Sequence, residues 1–372
     1  MATAPLVSAG AAHPVPTHKW LVALAVMLGT ALEVLDTSIV NVALPHMQGA
    51  FSASVDEIAW VLTSYLVANG IMIPMTAWIS SRFGRKRYFL TSVFAFVAAS
   101  ALCGAAQSLT QIIAFRMIQG AAGAAMIPSS QAILMETFPP EEQQMAMALW
   151  GMGLMVAPII GPTLGGWITD NWNWRWNFYI NLPVGFVAFA MVSAFVHDPL
   201  YLRQSRAQKG QVDYLGILLL ILSLGALQIV LDRGQRADWF NSPWVVYATV
   251  LSAVAFVGLA LHELHFSAPI LDLRILKLRI FDTALAVTIT FSAVLFGMLL
   301  LSRCSQFRRS IRTSVSESRF PLVSDLKPCL FTTLVRHRAL QLCQLRDRVS
   351  SEMLGLLSLH LARVLASRGR TQ

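Results

Sequence analysis

Nine apolar segments, separated by short polar connections, constrain the fold of this chain more than any other feature of its sequence. A helix needs about 20 mostly apolar residues to cross the roughly 30 Å hydrocarbon core of a bilayer. The segments lie at residues 20–43, 58–79, 88–106, 111–134, 145–168, 178–196, 212–231, 244–261 and 283–301. Their length and number predict an all-α integral membrane protein.

Composition supports this class and excludes others. Of 372 residues, 56% are hydrophobic and 13% are charged, whereas soluble domains carry about 25% charged residues. The formal charge of +9 does not indicate nucleic-acid binding, because residues 1–301 hold 15 Lys and Arg against 15 Asp and Glu, and residues 302–372 hold 13 against 4. The sequence shows no nucleotide-binding loop, metal-ligand spacing or nucleophile triad, so we expect neither an enzyme nor a cofactor.

Loop charges predict the orientation of the chain. Lys and Arg concentrate in alternate connections and mark the cytoplasmic side. These cations are Lys19, Arg82, Arg85, Lys86, Arg87, Arg203, Arg206, Lys209, Arg274, Lys277 and Arg279. The loop after the fourth segment is an exception, since it carries Glu136, Glu141 and Glu142 and no cation. We therefore predict a multi-pass protein whose N-terminus is cytoplasmic.

Two carboxylates, Glu33 and Asp36, lie in the second half of the first apolar segment, one helical turn apart. A carboxylate in hydrocarbon costs a few kcal/mol, so it faces a polar cavity, finds a partner or holds a proton. Thr37, Ser38 and Asn41 follow, as in a helix that lines a cavity. The alternative is that both acids lie near the membrane surface in water. We select Asp36, Glu33 and Asn41 as candidate site residues.

The fourth segment contains Arg116 and, one turn later, Gln119 on the same face. An arginine inside a span normally pairs with an acid or with backbone carbonyls. We predict that Arg116 lies buried near the carboxylates of the first segment. The alternative is that its side chain extends to the outer headgroups.

The connection between the second and third segments contains Arg82, Gly84, Arg85 and Lys86. Gly84 can adopt the left-handed backbone that a two-helix turn requires. The cations could serve only as a cytoplasmic anchor, but their spacing around Gly84 is more specific than that. We interpret these residues as a gating turn.

The fifth segment carries small residues at every fourth position, Gly153, Ala157, Gly161 and Gly165. Such a stripe permits close approach of a facing helix. Three further residues complete this pattern, namely Pro158, Pro162 and Gly166. The prolines bend a helix and free backbone groups. We predict a joint between two moving bundles; ordinary small-residue packing is the alternative.

Taken together, these motifs resemble the major facilitator superfamily and, within it, the 14-span drug:proton antiporters of the EmrB/QacA type. The resembling stretches are residues 35–45 (LDTSIVNVALP), 81–87 (SRFGRKR), 115–124 (FRMIQGAAGA), 161–167 (GPTLGGW), 174–185 (WRWNFYINLPVG) and 212–220 (VDYLGILLL). The chain departs from the family pattern at Ala77 and Ser81, where Gly and Asp are usual. This departure puts the charge relay of the cytoplasmic gate in doubt.

The resemblance implies proton-coupled export of small lipophilic, often cationic compounds from the cell by alternating access, with the proton gradient as energy source. Asp36 would couple protons, Arg116 would be the arginine of the proton-linked motif, and Gly161, Pro162 and Gly165 would form the antiporter motif. The implied setting is the inner membrane. A periplasmic adaptor and an outer-membrane channel are partners by family analogy. A proton-coupled metabolite exporter is an alternative.

The resemblance also predicts how the chain is divided. We expect a cytoplasmic tail (1–19), a major-facilitator-like N-terminal six-helix bundle (20–196), a cytoplasmic linker (197–211), two extra spans (212–261), a loop with the first span of an incomplete C-terminal bundle (262–301), and an irregular basic tail (302–372). Arg and Ser dominate this tail, which we interpret as disordered or out of frame. On that interpretation the chain is truncated, and a membrane remnant that transports nothing is the alternative to an antiporter.

Overall fold

The computed structural model describes residues 18–197, 213–265, 281, 283–290 and 292, and this part of the chain contains helices and no strands. The helices are α1 (Lys19–Phe51), α2 (Val55–Ile58), α3 (Trp60–Phe83), α4 (Arg85–Ala105), α5 (Leu109–Gly123), α6 (Met126–Thr137), α7 (Pro140–Asn171), α8 (Trp176–Tyr179), α9 (Asn181–Phe195), α10 (Tyr214–Arg233) and α11 (Pro243–His265). Short 3-10 turns, Gly234–Ala237 and Trp239–Asn241, join α10 to α11.

Eight stretches of the described chain are long and apolar enough to cross a membrane. Helices α1, α4, α7 and α11 each form one such stretch; the others are α2 with α3, α5 with α6, α8 with α9, and α10 with the turn that follows it. They correspond in order to the first eight predicted segments, so the predicted all-α membrane fold is confirmed. Most of the ninth segment lies outside the described residues, although 283–290 is helical.

Several other predictions also fall outside the described residues. These are the tail 1–17, nearly all of the linker 197–211, the loop 266–280 and the basic tail 302–372. The described residues up to His265 belong to one compact unit, and residues 281–292 belong to a second. In the second unit the hydroxyls of Thr288 and Thr290 bond to carbonyls of their own helix.

The first helix is longer than the sequence predicted, because it continues through Pro45 to Phe51. Proline removes one backbone hydrogen bond, but neighbouring helices can satisfy the freed groups in a membrane bundle. The helix is capped by Ser52, whose φ of 50° is left-handed. A capping box of Ser54 and Glu57 then starts α2, so the chain turns within three residues.

Helices α1 to α9 pack as a bundle in which α1 lies against α7 and α9, and α5 lies between α3 and α4. Because lipid tails are as apolar as these side chains, close packing rather than the hydrophobic effect holds the helices together. We call its two ends the Lys19 end, where α1, α4 and α7 begin, and the Trp60 end, where α3 begins. The loop charges predict that the Lys19 end is cytoplasmic.

Two apolar clusters fill the bundle. One cluster, towards the Lys19 end, includes Val26, Phe89 and Phe96. The second, towards the Trp60 end, includes Met47 and Ile112. The middle of α1 runs between them and carries the buried polar residues described below.

The remaining helices, α10 and α11, form an antiparallel pair that we call the accessory hairpin (residues 214–265). Helix α10 packs on α3, and Met75 of α3, Leu220 of α10 and Leu259 of α11 form one buried apolar cluster. The accessory hairpin is therefore attached to the bundle through α3.

Candidate functional site

Asp36 lies at the centre of the bundle with no exposed surface. Arg116 Nη1 donates to its Oδ2 at 2.5 Å. Gln119 Nε2 and Asn181 Nδ2 donate to its Oδ1 at 3.0 and 2.8 Å. We call these four side chains, Asp36, Arg116, Gln119 and Asn181, the Asp36 cluster; they come from α1, α5 and α9.

Arg116 is also fully buried and is held on several sides. Its Nη1 donates to Gln119 Oε1 at 2.8 Å and its Nε to the carbonyl oxygen of Val61 at 3.3 Å. The guanidinium carbon lies 4.1 Å from the centre of the Tyr65 ring, a cation–π contact in a site without water access. Arg116 therefore does not extend to the headgroups; it forms an ion pair with the acid of the first span.

Asn181 and Tyr65 are members of this site that the sequence did not identify. Asn181 precedes Leu182 and Pro183, which sequence analysis can take only as a bend at the start of the sixth span. Its Nδ2 also reaches Ser100 Oγ at 3.0 Å, and the Ser100 hydroxyl donates to the carbonyl of Phe178. The signal that could have found Asn181 is its polarity inside an apolar span.

Glu33 is buried one turn from Asp36 but has a different partner. Asn69 Nδ2 donates to Glu33 Oε1 at 2.9 Å and also approaches the carbonyl oxygen of Gly120 at 3.4 Å. The other carboxyl oxygen of Glu33, Oε2, is buried without a hydrogen-bond partner. A buried unpaired carboxylate is costly, so this oxygen is a place for a proton.

Asn41 lies outside the Asp36 cluster. Its side chain is exposed and donates to the carbonyl of Thr37 at 2.8 Å, one turn back on the same helix. Five residues after Asp36, Asn41 lies about 140° away around the helix axis, which explains the separation. A role for Asn41 in substrate binding stays a prediction.

The small-residue stripe of α7 packs directly on α1. A Cβ atom added to Gly161 would lie 2.5 Å from Ser38 Cβ, and one added to Gly165 would lie 3.1 Å from Ile39 Cα. Gly153 faces Met27, Gly166 faces Val42, and Ala157 is buried. The helix that faces the stripe is therefore the one that carries Asp36, within the same bundle.

This contact changes where a joint between two bundles can lie. Because α1 occupies the stripe, a second bundle would have to contact a different face of α7. Pro158 and Pro162 are exposed, together with Met155 and Ile159, which are 73% and 74% exposed. The joint stays a prediction, now assigned to this exposed face rather than to the glycines.

The gating turn contacts four helices at the Lys19 end. Gly84 has φ 95° and ψ 148°, a conformation that favours glycine, and it caps both α3 and α4. Arg85 forms an ion pair with Glu136 at the end of α6, and Lys86 Nζ donates to the carbonyl of Ser193 in α9 at 2.7 Å. The guanidinium of Arg82 lies 5.5 Å from the Trp78 ring.

These contacts account for the acidic loop that broke the charge pattern. Glu136 pairs with Arg85, and Glu142 pairs with Lys19 Nζ at 2.5 Å. Both acids lie at the Lys19 end beside cations from other connections.

Ser81, which stands where the family pattern has Asp, bonds to the carbonyl of Trp78 in its own helix. Within the described residues, no group of three His, Cys, Asp or Glu could hold a metal ion.

Comparison with known proteins fits this architecture. The sequence profile of the Major Facilitator Superfamily matches residues 26–316. The multidrug export protein EmrB of Haemophilus influenzae is 42% identical over 288 residues, which cover 76% of this chain and 56% of that protein. EmrB of Escherichia coli K12 is 39% identical over 287 residues (77% and 55%), and the fatty acid resistance protein FarB of Neisseria gonorrhoeae is 38% identical over 281 residues (75% and 54%).

The chain spans about half the length of the curated relatives it matches. The match nevertheless covers most of this chain, including every residue of the Asp36 cluster. The chain therefore belongs to the major facilitator superfamily, a family of membrane transporters and not of enzymes.

Proposed function

We propose that this chain belongs to a proton-coupled exporter of small lipophilic or cationic compounds, with Asp36 as the proton-carrying acid. The observation that carries the proposal is the Asp36–Arg116 ion pair, in which both side chains are fully buried. Ionisable residues inside membrane bundles are costly and are typical of ion and proton pathways. No other described acid is paired with a fully buried cation in this way.

The pair supplies a physical switch. When Asp36 takes up a proton, Arg116 loses its counter-ion while its own charge remains buried. Leaving one member of a buried pair uncompensated costs about 3–5 kcal/mol. Protonation therefore disfavours this packing of the bundle. The conformational equilibrium shifts towards arrangements in which water or another acid contacts Arg116.

In this conformation, substrate binding cannot affect the protonation of Asp36 by direct contact. Both oxygens of Asp36 are occupied by protein donors, and the side chain has no exposed surface. A substrate therefore cannot touch Asp36 without rearrangement of α1, α5 or α9. We propose that proton and substrate compete through the conformations they favour rather than by sharing one contact.

Substrate class, location and partners belong to the same proposal. Names of relatives, multidrug export and fatty acid resistance, support lipophilic substrates. Loop cations at the Lys19 end support a cytoplasmic N-terminus, and relatives from bacteria with two membranes support an inner-membrane location with a periplasmic adaptor and outer-membrane channel. Among the described residues, the proposal requires a proton-binding group only in the Asp36 cluster.

Proteoliposomes containing the whole chain test the proposal. A pH gradient should drive accumulation of a fluorescent lipophilic cation by the wild type, and Asp36→Asn should abolish it. Asp170→Asn is the matched control, because Asp170 is 72% exposed at the end of α7 and its Oδ1 lies 3.9 Å from His46 Nε2. Asp36→Asn activity equal to that of the control would exclude the assigned role.

A membrane protein that does not transport is the second candidate. Alternating access needs two bundles that move about a shared site, and the described residues from 18 to 265 form one bundle with the accessory hairpin. Drug susceptibility of cells expressing this chain, compared with cells expressing a relative of full length, separates the two. Unchanged susceptibility for this chain alone would favour the second candidate.

A further inference from the structure

A second set of polar contacts joins the accessory hairpin to the bundle at the Trp60 end. The Thr63 hydroxyl donates to the carboxylate of Asp232. Arg233 Nη1 donates to the carbonyl of Asp56 at 3.0 Å, and its guanidinium carbon lies 4.3 Å from the centre of the Trp60 ring. The side chain of Arg233 is only 8% exposed, whereas that of Asp232 is 33% exposed, so water reaches part of this attachment.

The same stretch of α3 contacts the Asp36 cluster from the other side. The carbonyl of Val61 accepts from Arg116 Nε, the Tyr65 ring lies against the guanidinium, and Asn69 holds Glu33. Residues two positions apart on a helix lie about 200° apart around its axis. Thr63 therefore faces away from Val61 and Tyr65, and residues 60–69 are held between the accessory hairpin and Arg116.

We infer that the Thr63–Asp232 contact positions α3 against Arg116 and thereby sets how readily Asp36 takes up a proton. Thr63 and Asp232 are positioning residues, since neither touches the Asp36 cluster. The inference rests on the proposed protonation of Asp36 and adds a part for the accessory hairpin in it.

The groups close to Asp36 show why the effect must pass through α3. The titratable groups that interact there are Glu33 on α1, Tyr65 on α3, Cys103 on α4 and Arg116 on α5. Helix α9 supplies the neutral amide of Asn181 and α7 packs its glycines. Asp232 bonds to Thr63 and lies 3.6 Å from Arg233, so its direct partners are elsewhere.

The experiment titrates Asp36 itself in the whole chain, reconstituted in lipid nanodiscs. Difference infrared spectra follow the carboxylic acid band that Asp36→Asn removes. Thr63→Val should move the midpoint of this band to higher pH by about half a unit, roughly a threefold change in proton affinity, because a less firmly held Arg116 stabilises the carboxylate less. Asp232→Ala removes the same bond from the accessory hairpin and should shift the midpoint in the same direction.

Two matched variants separate positioning from general loosening. Thr63→Ser keeps the hydroxyl and should titrate as the wild type. Ser252→Ala removes a hydroxyl that bonds to the carbonyl of Ser223 at 2.8 Å, between the two helices of the accessory hairpin, and should also leave the midpoint unchanged.

The outcomes distinguish this inference from the proposed function. A wild-type band that titrates but is unmoved in folded Thr63→Val and Asp232→Ala protein overturns the inference alone. An equal shift in Ser252→Ala overturns it as well. A wild-type chain without any titrating Asp36 band overturns the proposed proton role and, with it, this inference.

Discussion

Acids and cations pair across helices in two regions of this bundle, and the regions differ mainly in access to water. In the Asp36 cluster, both Asp36 and Arg116 are 0% exposed. At the Lys19 end, the side chains of Arg85 and Glu136 are 25% and 20% exposed, and those of Lys19 and Glu142 are 24% and 41% exposed. Burial, and not the identity of the charged groups, separates the two regions.

This difference in exposure determines how much free energy is lost when an ion pair breaks in each region. Partly exposed pairs contribute about 0–1 kcal/mol, since water and salt compensate a broken pair. A buried pair penalises the loss of either charge by several kcal/mol. Of these two regions, the Asp36 cluster is therefore the one where protonation can change the packing, whereas the pairs at the Lys19 end fix where helix ends lie.

Arg116→Ala should give the largest effect. It leaves Asp36 as a buried, unpaired acid, and we expect the free energy of unfolding to fall by about 3–5 kcal/mol. Thermal unfolding in detergent measures this loss. Arg236→Ala is the control, because Arg236 is 49% exposed and its contact with Asp56 is 3.4 Å long. Similar losses in the two variants would remove the distinction between buried and exposed pairs.

Gly165→Ala should give a smaller effect on the same buried region. The added methyl would lie 3.1 Å from Ile39 Cα and 3.3 Å from its carbonyl oxygen, so α1 must move. We expect a loss of about 1–3 kcal/mol, measured by thermal unfolding, because backbone cannot yield as a flexible side chain does. Gly151→Ala on the same helix has open space within 4 Å and should instead be neutral or gain up to about 1 kcal/mol. A harmless Gly165→Ala would mean that the stripe does not fix α1.

Glu136→Gln should give the smallest effect. It breaks the pair with Arg85 at the Lys19 end, and we expect a loss of no more than about 1 kcal/mol that shrinks further in high salt. Unfolding measured at low and high ionic strength tests this. A loss as large as that of Arg116→Ala, independent of salt, would show that the gating turn carries a buried charge after all.

Sequence reasoning identified the charged members of the site and the neutral Gln119, but it missed Asn181, Tyr65 and Asn69. Asp36 and Arg116 are predictable as a pair because a lone charge in a span must find a partner. Asn181, Tyr65 and Asn69 carry no charge, so nothing in the sequence forces them to meet a particular group. Their positions depend on how α3 and α9 pack, which short-range patterns do not encode.

In the fold, too, some features can be predicted from the sequence and others depend on how the helices pack. The eight described spans follow from apolar length alone, and the turn at Gly84 follows from glycine between cations. The partner of the α7 stripe does not follow, since a row of small residues allows any facing helix. The pairing of Glu136 and Glu142 with cations of other loops is equally invisible in sequence order, although it explains the exception to the charge pattern.

The number of protons released when substrate binds tests the central claim most directly. Calorimetry in buffers of different ionisation enthalpy, with tetraphenylphosphonium as the lipophilic cation, gives this number for the purified chain. The wild type should release up to about one proton for each cation bound at a pH where Asp36 is partly protonated, and Asp36→Asn should release none while still binding. An Asp36→Asn chain that releases as many protons as the wild type would contradict the account.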